Sequence, residues 1–251
     1  MTSGRRYRSV PLHRRWMNDL IHFGKKSHIM GCGWRVNLAA VVAARAGAQP
    51  AIGWTAIWLK ALGLVGRRRP EMRTAYLPFP FARLYVHPEL APTVIVERMW
   101  RGVSALFFEQ YPAPDKRPLV DLDADLRRLR QVPVESVGSF RRLIRFARPP
   151  VLVRRFFWSL ALHWSGAMRA KYIGLCGLNS FPTGGNITQS AMPAAFTLYF
   201  GLVEPNGDAQ IQVFYDHRIM DGIEVYRIVR DLEATMNGDI AAELQGGAAH
   251  S

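Results

Sequence analysis

The sequence predicts an α/β domain, and three observations predict it. Stretches of strand-like alternation and of helix-like periodicity follow one another along the chain. At 251 residues, 49% hydrophobic and 21% charged, the chain can bury one sizeable core or two small ones. Near the C-terminus a strand pattern, a polar corner and a helix pattern come in direct succession. Ile211, Val213 and Tyr215 alternate with Gln210, Gln212 and Phe214, as in a mostly buried strand. After Gly222, the residues Ile223, Tyr226, Val229 and Leu232, with Val225 and Ile228 beside them, form an apolar face at helical spacing, and Asn237-Gly238 supplies a stop.

The other elements follow in order. Residues 1–10 read as a basic arm, 11–245 as the folded domain and 246–251 as a tail. Pro11 to Phe23 gives a first helix, with Trp16, Leu20 and Phe23 spaced by four and three. Trp34 to about Val41 reads as a strand, although Leu38 to Ala48 is Ala-rich enough for helix. Ile52 to Val65 is an apolar helix, stopped by Gly66, three arginines and Pro70. Ala82–Pro88, Thr93–Arg98 and Leu106–Gln110 alternate as strands, with His87-Pro88 as a turn. Asp121 to Arg130 opens a charged helix. Its Asp121, Asp123 and Asp125 lack the Gly and Glu of a calcium loop and suit a helix N-terminus instead. Phe140–Ala147 and Leu152–Ala170 read as helices split by Arg148-Pro149-Pro150, and their aromatic cluster suits a core or the wall of an acyl pocket. Leu175–Leu178 is a short strand, Asn179–Asn186 a loop, and Ala195–Val203 with Ala209–Tyr215 a hairpin that delivers His217.

Composition excludes several classes. Two cysteines, Cys32 and Cys176, give neither a disulfide framework nor a metal cluster, and a reducing cytoplasm is expected. No run reaches the ~20 apolar residues of a membrane span. The net charge of +14 suits an anionic partner, whether nucleic acid, membrane surface, acidic protein or a phosphate-rich ligand such as coenzyme A, and equally suits solvated basic faces. With no zinc finger, RNA-binding signature or helix-turn-helix, nucleic acid is not expected as a partner, and no metal is expected.

The corner itself carries the chemistry. A histidine at a strand-to-helix junction can take a proton from a thiol or hydroxyl and later return it, provided its ring is held. In Phe214-Tyr215-Asp216-His217-Arg218-Ile219-Met220-Asp221-Gly222, Asp221 can brace the corner by pairing with a cation brought from elsewhere, and Gly222 permits a tight turn or a close approach. A structural histidine fits the same pattern about as well.

Tyr215 to Gly222 resembles the active-site signature of the catalytic domain of dihydrolipoamide acyltransferases, the core of 2-oxoacid dehydrogenase complexes, and the His-x-x-x-Asp-Gly of chloramphenicol acetyltransferases. The resemblance extends over roughly Leu12 to Leu244. It implies the chloramphenicol acetyltransferase-like fold, a mixed sheet with packed helices, one domain per chain, assembled as a homotrimer or a multiple of trimers with each site at a subunit interface. It implies acyl transfer between acyl-coenzyme A and a thiol, hydroxyl or amine, with His217 as general base and an acyl-carrying protein as an admissible partner.

Three further roles follow from the resemblance. Arg14, beside His13 in a segment like the family's Trp-His-Arg opening, would hold Asp221, or else be a surface arginine. The oxyanion donor would be Cys176, where an ungapped count puts the family's Ser or Thr, or else Asn179 or Ser180. No lipoyl domain precedes the matched region, so a stand-alone domain without a covalent lipoyl group is expected. Condensation domains are similar but about twice as long, with a second histidine where Asp216 stands. The alternative function is a non-catalytic trimeric scaffold that retains the fold.

Overall fold

The computed structural model describes residues 9–25, 28–181 and 187–248. Six strands form one mixed sheet: β1 (Ile29–Asn37), β4 (Pro92–Trp100), β5 (Val103–Gln110), β6 (Cys176–Ser180), β7 (Phe196–Val203) and β8 (Asp208–Asp216), in the order β1-β8-β7-β6-β4-β5. The pairs β4/β6 and β6/β7 are parallel and the other three antiparallel. A separate ribbon pairs β2 (Thr74–Leu77) with β3 (Arg83–Val86). The helices are α1 (Leu12–Gly24), α2 (Ala39–Gly47), α3 (Trp54–Arg68), α4 (Leu119–Gln131), α5 (Gly138–Phe146), α6 (Val151–His163), α7 (Gly166–Tyr172), α8 (Gly222–Thr235) and α9 (Ala241–Ala248).

Strand parity decides what the sheet presents on each side. Cys176 and Leu178 of β6, Phe196 and Leu198 of β7, and Ile211, Val213 and Tyr215 of β8 enter one core with Ile57, Trp58 and Leu62 of α3 and Val225, Ile228 and Val229 of α8. The intervening residues Gly177, Asn179, Thr197, Tyr199, Gln212 and Phe214 take the opposite side. Burial of this core is the main stabilising term, at about 25 cal/mol per Å² of apolar surface.

The sequence expectations for α1, α3 and the β7–β8 hairpin are met closely. Elsewhere the chain departs from them. β1 begins at Ile29, five residues before Trp34, because Gly31 leaves room for the Phe214 ring: a Cβ there would sit 2.8 Å from it. β3 pairs with β2 rather than with β4, and β4 turns directly into β5 at Arg101-Gly102, both with positive φ, 53° and 76°. The single helix expected over 152–170 is broken at Ser165, whose hydroxyl accepts from the Met168 N–H and caps α7. Asn237-Gly238 does not stop the last helix. The chain passes through a π-helical turn, Met236–Ile240, into α9, while the Asn237 Nδ2 donates to the Asn37 carbonyl at 2.8 Å. β6 also runs through Ser180, so Asn179 is a strand residue rather than a loop residue.

Candidate active site

β8 ends at Asp216, and the chain turns within five residues into α8. His217 donates its backbone N–H to the His28 carbonyl at 3.0 Å, which ties the corner to the entry of β1. The imidazole is half exposed. Its Nδ1 lies 3.2 Å from Asp221 Oδ1, and the Tyr215 ring is 5.8 Å away. With Nδ1 held by a carboxylate, Nε2 is the ring atom left to exchange a proton.

Asp221 is the N-cap of α8. Its side chain accepts from the N3 backbone N–H, and its own N–H donates to Glu224 Oε2 at 2.5 Å, a reciprocal capping box. Asp221 is exposed and pairs with His217, not with Arg14. The expectation that Arg14 holds Asp221 is therefore corrected: Arg14 is an exposed residue in the first turn of α1. The acidic residue that arginine does hold on α1 is Asp19, fully buried, with Arg154 Nε at 2.7 Å and Arg155 Nε at 3.7 Å. Gly222 is corrected too. It opens α8 without positive φ, and an added Cβ would meet only the Tyr215 hydroxyl at 3.7 Å.

The brace of the corner is a residue pair that the motif reading passed over. Asp216 is fully buried and holds Arg218 in a two-point ion pair, Nε at 2.8 Å and Nη2 at 2.6 Å. The Arg218 backbone N–H adds a third bond to Asp216 Oδ1 at 3.1 Å. The Arg218 guanidinium lies 4.5 Å from the Tyr76 ring centre. Behind it Arg169 donates to the carbonyls of Tyr76 and Pro193, each at 2.8 Å. Burial lowers the Arg169 pKa to about 10, and Asp216 pulls it back up, while the hydrogen bond to Asp216 raises that of Arg218. A small cavity of about 30 Å³ opens here, between Phe23, Tyr76, Leu162, Arg169 and Arg218. The only sequence signal for this pair was an Asp-x-Arg at a strand end.

The three candidate oxyanion donors separate by parity. Cys176 faces the core, fully buried, and burial pushes its thiol well above the ordinary range, so it stays protonated and out of reach of any cleft. The ungapped count that put a donor at Cys176 put it on the wrong side of the strand. Asn179 faces the other side. It is largely buried, and neither its Nδ2 nor its Oδ1 has a partner among the described residues. An unpaired buried amide is costly and rare in a folded chain. Ser180 ends β6 and is exposed.

Asn179 and His217 of the same chain do not meet. Asn179 pairs with Tyr199, and Tyr199 with Gln212, five positions before His217. At about 3.3 Å per residue along the strand and about 4.8 Å between strands, roughly 20 Å separates the two. Asn179 thus lies level with the middle of β7 and β8, while His217 lies just past the end of β8. Among the described residues no cluster of His, Cys, Asp and Glu could hold a metal.

No family model and no curated protein matches the sequence. Solved structures do match. The dihydrolipoamide acetyltransferase of Azotobacter vinelandii has a TM-score of 0.64 at 15% identity, covering 95% of this chain and 94% of that one. The truncated catalytic core of the 2-oxoacid dehydrogenase multienzyme complex from Thermoplasma acidophilum has a TM-score of 0.64 at 13% identity, covering 93% and 99%. A chloramphenicol acetyltransferase has a TM-score of 0.51 at 13% identity, covering 91% and 99%. The chain has the chloramphenicol acetyltransferase-like fold.

Proposed function

We propose that the protein is an acyltransferase that moves an acyl group between a coenzyme A-type thioester and a thiol, hydroxyl or amine, in sites formed between copies of the chain. One protomer supplies His217 and its neighbour supplies Asn179. The observation that carries this is a half-exposed histidine held through Nδ1, together with a buried amide that has no partner among the described residues and lies too far away to serve that histidine in the same chain. The oligomer is proposed to be a trimer or a multiple of trimers, in line with the core assemblies whose fold the chain shares.

In this reading His217 Nε2 takes the proton of the acceptor as the acceptor attacks the thioester carbonyl. The oxyanion of the tetrahedral intermediate accepts a hydrogen bond from the Asn179 Nδ2 of the neighbouring copy, a term typically worth ~3 kcal/mol. Collapse expels the coenzyme A thiolate, which takes the proton back from His217. Asp221 keeps the proton on Nδ1 and steadies the imidazolium. The buried Asp216–Arg218 pair fixes the backbone on which both residues ride.

The test is release of free thiol from a panel of acyl-coenzyme A chain lengths, with and without small thiol, hydroxyl and amine acceptors. Turnover that disappears in His217→Ala at an unchanged melting temperature supports the reading. Full turnover in that variant would exclude it.

A further inference from the structure

The charge of this chain is unevenly placed. Between Ser136 and Val203 there are eight cationic side chains, Arg141, Arg142, Arg145, Arg148, Arg154, Arg155, Arg169 and Lys171, and no Asp or Glu. Arg154 and Arg155 lean on Asp19, and Arg169 is spent on carbonyls. The other five are exposed. The same segment carries an unusual apolar surface. Along α6, Leu152, Val153, Phe156 and Phe157 face outward, with Leu152 79% and Phe156 64% exposed. The stripe Val153, Phe157 and Trp164 steps by four and by seven, so it stays on one side of the helix and runs off its end. There the Trp164 ring stacks on Phe79 at 4.7 Å, and Phe81 beside it is 79% exposed. Scattered exposed apolar residues need no explanation, but a continuous ridge of this kind does.

We propose that this ridge, with the arginines of α5 around it, docks the protein onto an anionic lipid surface. α5 and α6 both pack on α1 and follow one another across the short Arg148-Pro149-Pro150 link, which keeps the exposed arginines of α5 next to the ridge in the chain. Phe and Trp side chains enter the headgroup–acyl boundary, while arginine stems lie along it and leave their guanidinium groups among lipid phosphates. A groove of about 430 Å³ opens at the root of α6 beside the ridge, between Arg15, Asp19, Pro150, Val151, Arg154 and Arg155, with Asp19 held by the two arginines of α6. Pairing this face with the same face of a second copy would set arginines against arginines with no carboxylate in the segment to offset them, and a neighbour that presents a different face is distinguished by the oligomeric state in the experiment below. No helix among the described residues is long and apolar enough to cross a membrane, so the contact lies along the surface.

The experiment is co-sedimentation of the full chain with pure phosphatidylcholine vesicles and with phosphatidylcholine–phosphatidylglycerol vesicles. Two variants are compared by circular dichroism and light scattering: Leu152→Ser with Phe156→Ser and Phe157→Ser, and Arg141→Gln with Arg142→Gln and Arg145→Gln. The wild-type chain is expected to pellet with the anionic vesicles and to be released by salt. The apolar variant should lose at least about tenfold in partitioning, and the arginine variant roughly fivefold per residue. Failure of the wild type to bind anionic vesicles overturns the proposal, as does wild-type binding by both variants. So does an apolar variant whose oligomer falls apart while vesicle binding persists, which would assign the ridge to a second copy. Vesicle binding does not require acyl transfer, so neither result decides the other.

Discussion

Removing Arg218 should destabilise this protein more than removing any residue that touches substrate. Arg218→Met leaves the Asp216 carboxylate fully buried with one backbone N–H and the field of Arg169 in place of a two-point ion pair. Breaking a buried pair from one side costs about 3–5 kcal/mol. Because the Arg218 side chain is 26% exposed, the low end applies, about 3 kcal/mol. For a chain of this size that is a fall of roughly 6–12 °C in melting temperature. The double variant Asp216→Asn with Arg218→Met removes the orphaned charge, and the Asn oxygen can still accept from the backbone at position 218. It should recover at least half of the loss, giving a coupling of about 1.5 kcal/mol or more. Urea unfolding followed by circular dichroism measures all four corners of the cycle. A single variant within about 0.5 kcal/mol of wild type, or a double variant no better than Arg218→Met, would refute the placing of the brace in this pair.

Three further outcomes follow from the geometry. Asp221→Asn should keep α8 capped, since Asn caps about as well as Asp, so its melting temperature should barely move while turnover falls through the loss of the carboxylate on Nδ1. Asn179→Ala should lower turnover about a hundredfold without loss of stability, because it deletes a buried amide that has no hydrogen-bond partner among the described residues; a variant that loses stability but keeps turnover would remove Asn179 from the site. Cys176 should make the fold alkali-sensitive. Burial raises its pKa above the ordinary value of 9.0, so its contribution is complete below that pH and is lost as pH rises above it, when the unfolded chain ionises and the folded chain does not. The slope, up to about 1.4 kcal/mol per pH unit, should flatten in Cys176→Ala, as seen in urea titrations at several pH values.

The parts of the fold that were legible in the sequence are those with a regular apolar pattern. Trp16, Leu20 and Phe23 are buried along one side of α1, so helical periodicity survives there, and β8 is buried on both sides from Ile211 to Asp216, so it stands out as a nearly continuous apolar run. β1 was read short because Gly31 and Gly33 look like loop, whereas Gly31 is small to admit the Phe214 ring. The turn at Arg101-Gly102 hid inside what reads as two separate strands. In the candidate site, spacing singled out His217 and Asp221 at a strand-to-helix corner, but the partner of Asp221 was expected from elsewhere in the chain and is His217 itself. The Asp216–Arg218 pair was not singled out, because charged residues beside a histidine look like solvated surface until Asp216 is seen to be fully buried. Of the three candidate donors, the ungapped count favoured Cys176 because it ignored alternation: Cys176 and Asn179 differ by an odd number of residues and therefore take opposite sides of β6, with Cys176 in the core.

The most direct measurement is complementation between inactive protomers. His217→Ala and Asn179→Ala chains are each purified, mixed under mild denaturation, reassembled and assayed for acyl-coenzyme A turnover. If each site takes its histidine from one chain and its amide from another, mixed oligomers contain some sites with both residues intact, and activity should return well above that of either parent. If the mixture stays as inactive as its parents although exchange of labelled chains is demonstrated, the two residues do not serve one site across the interface and the account fails.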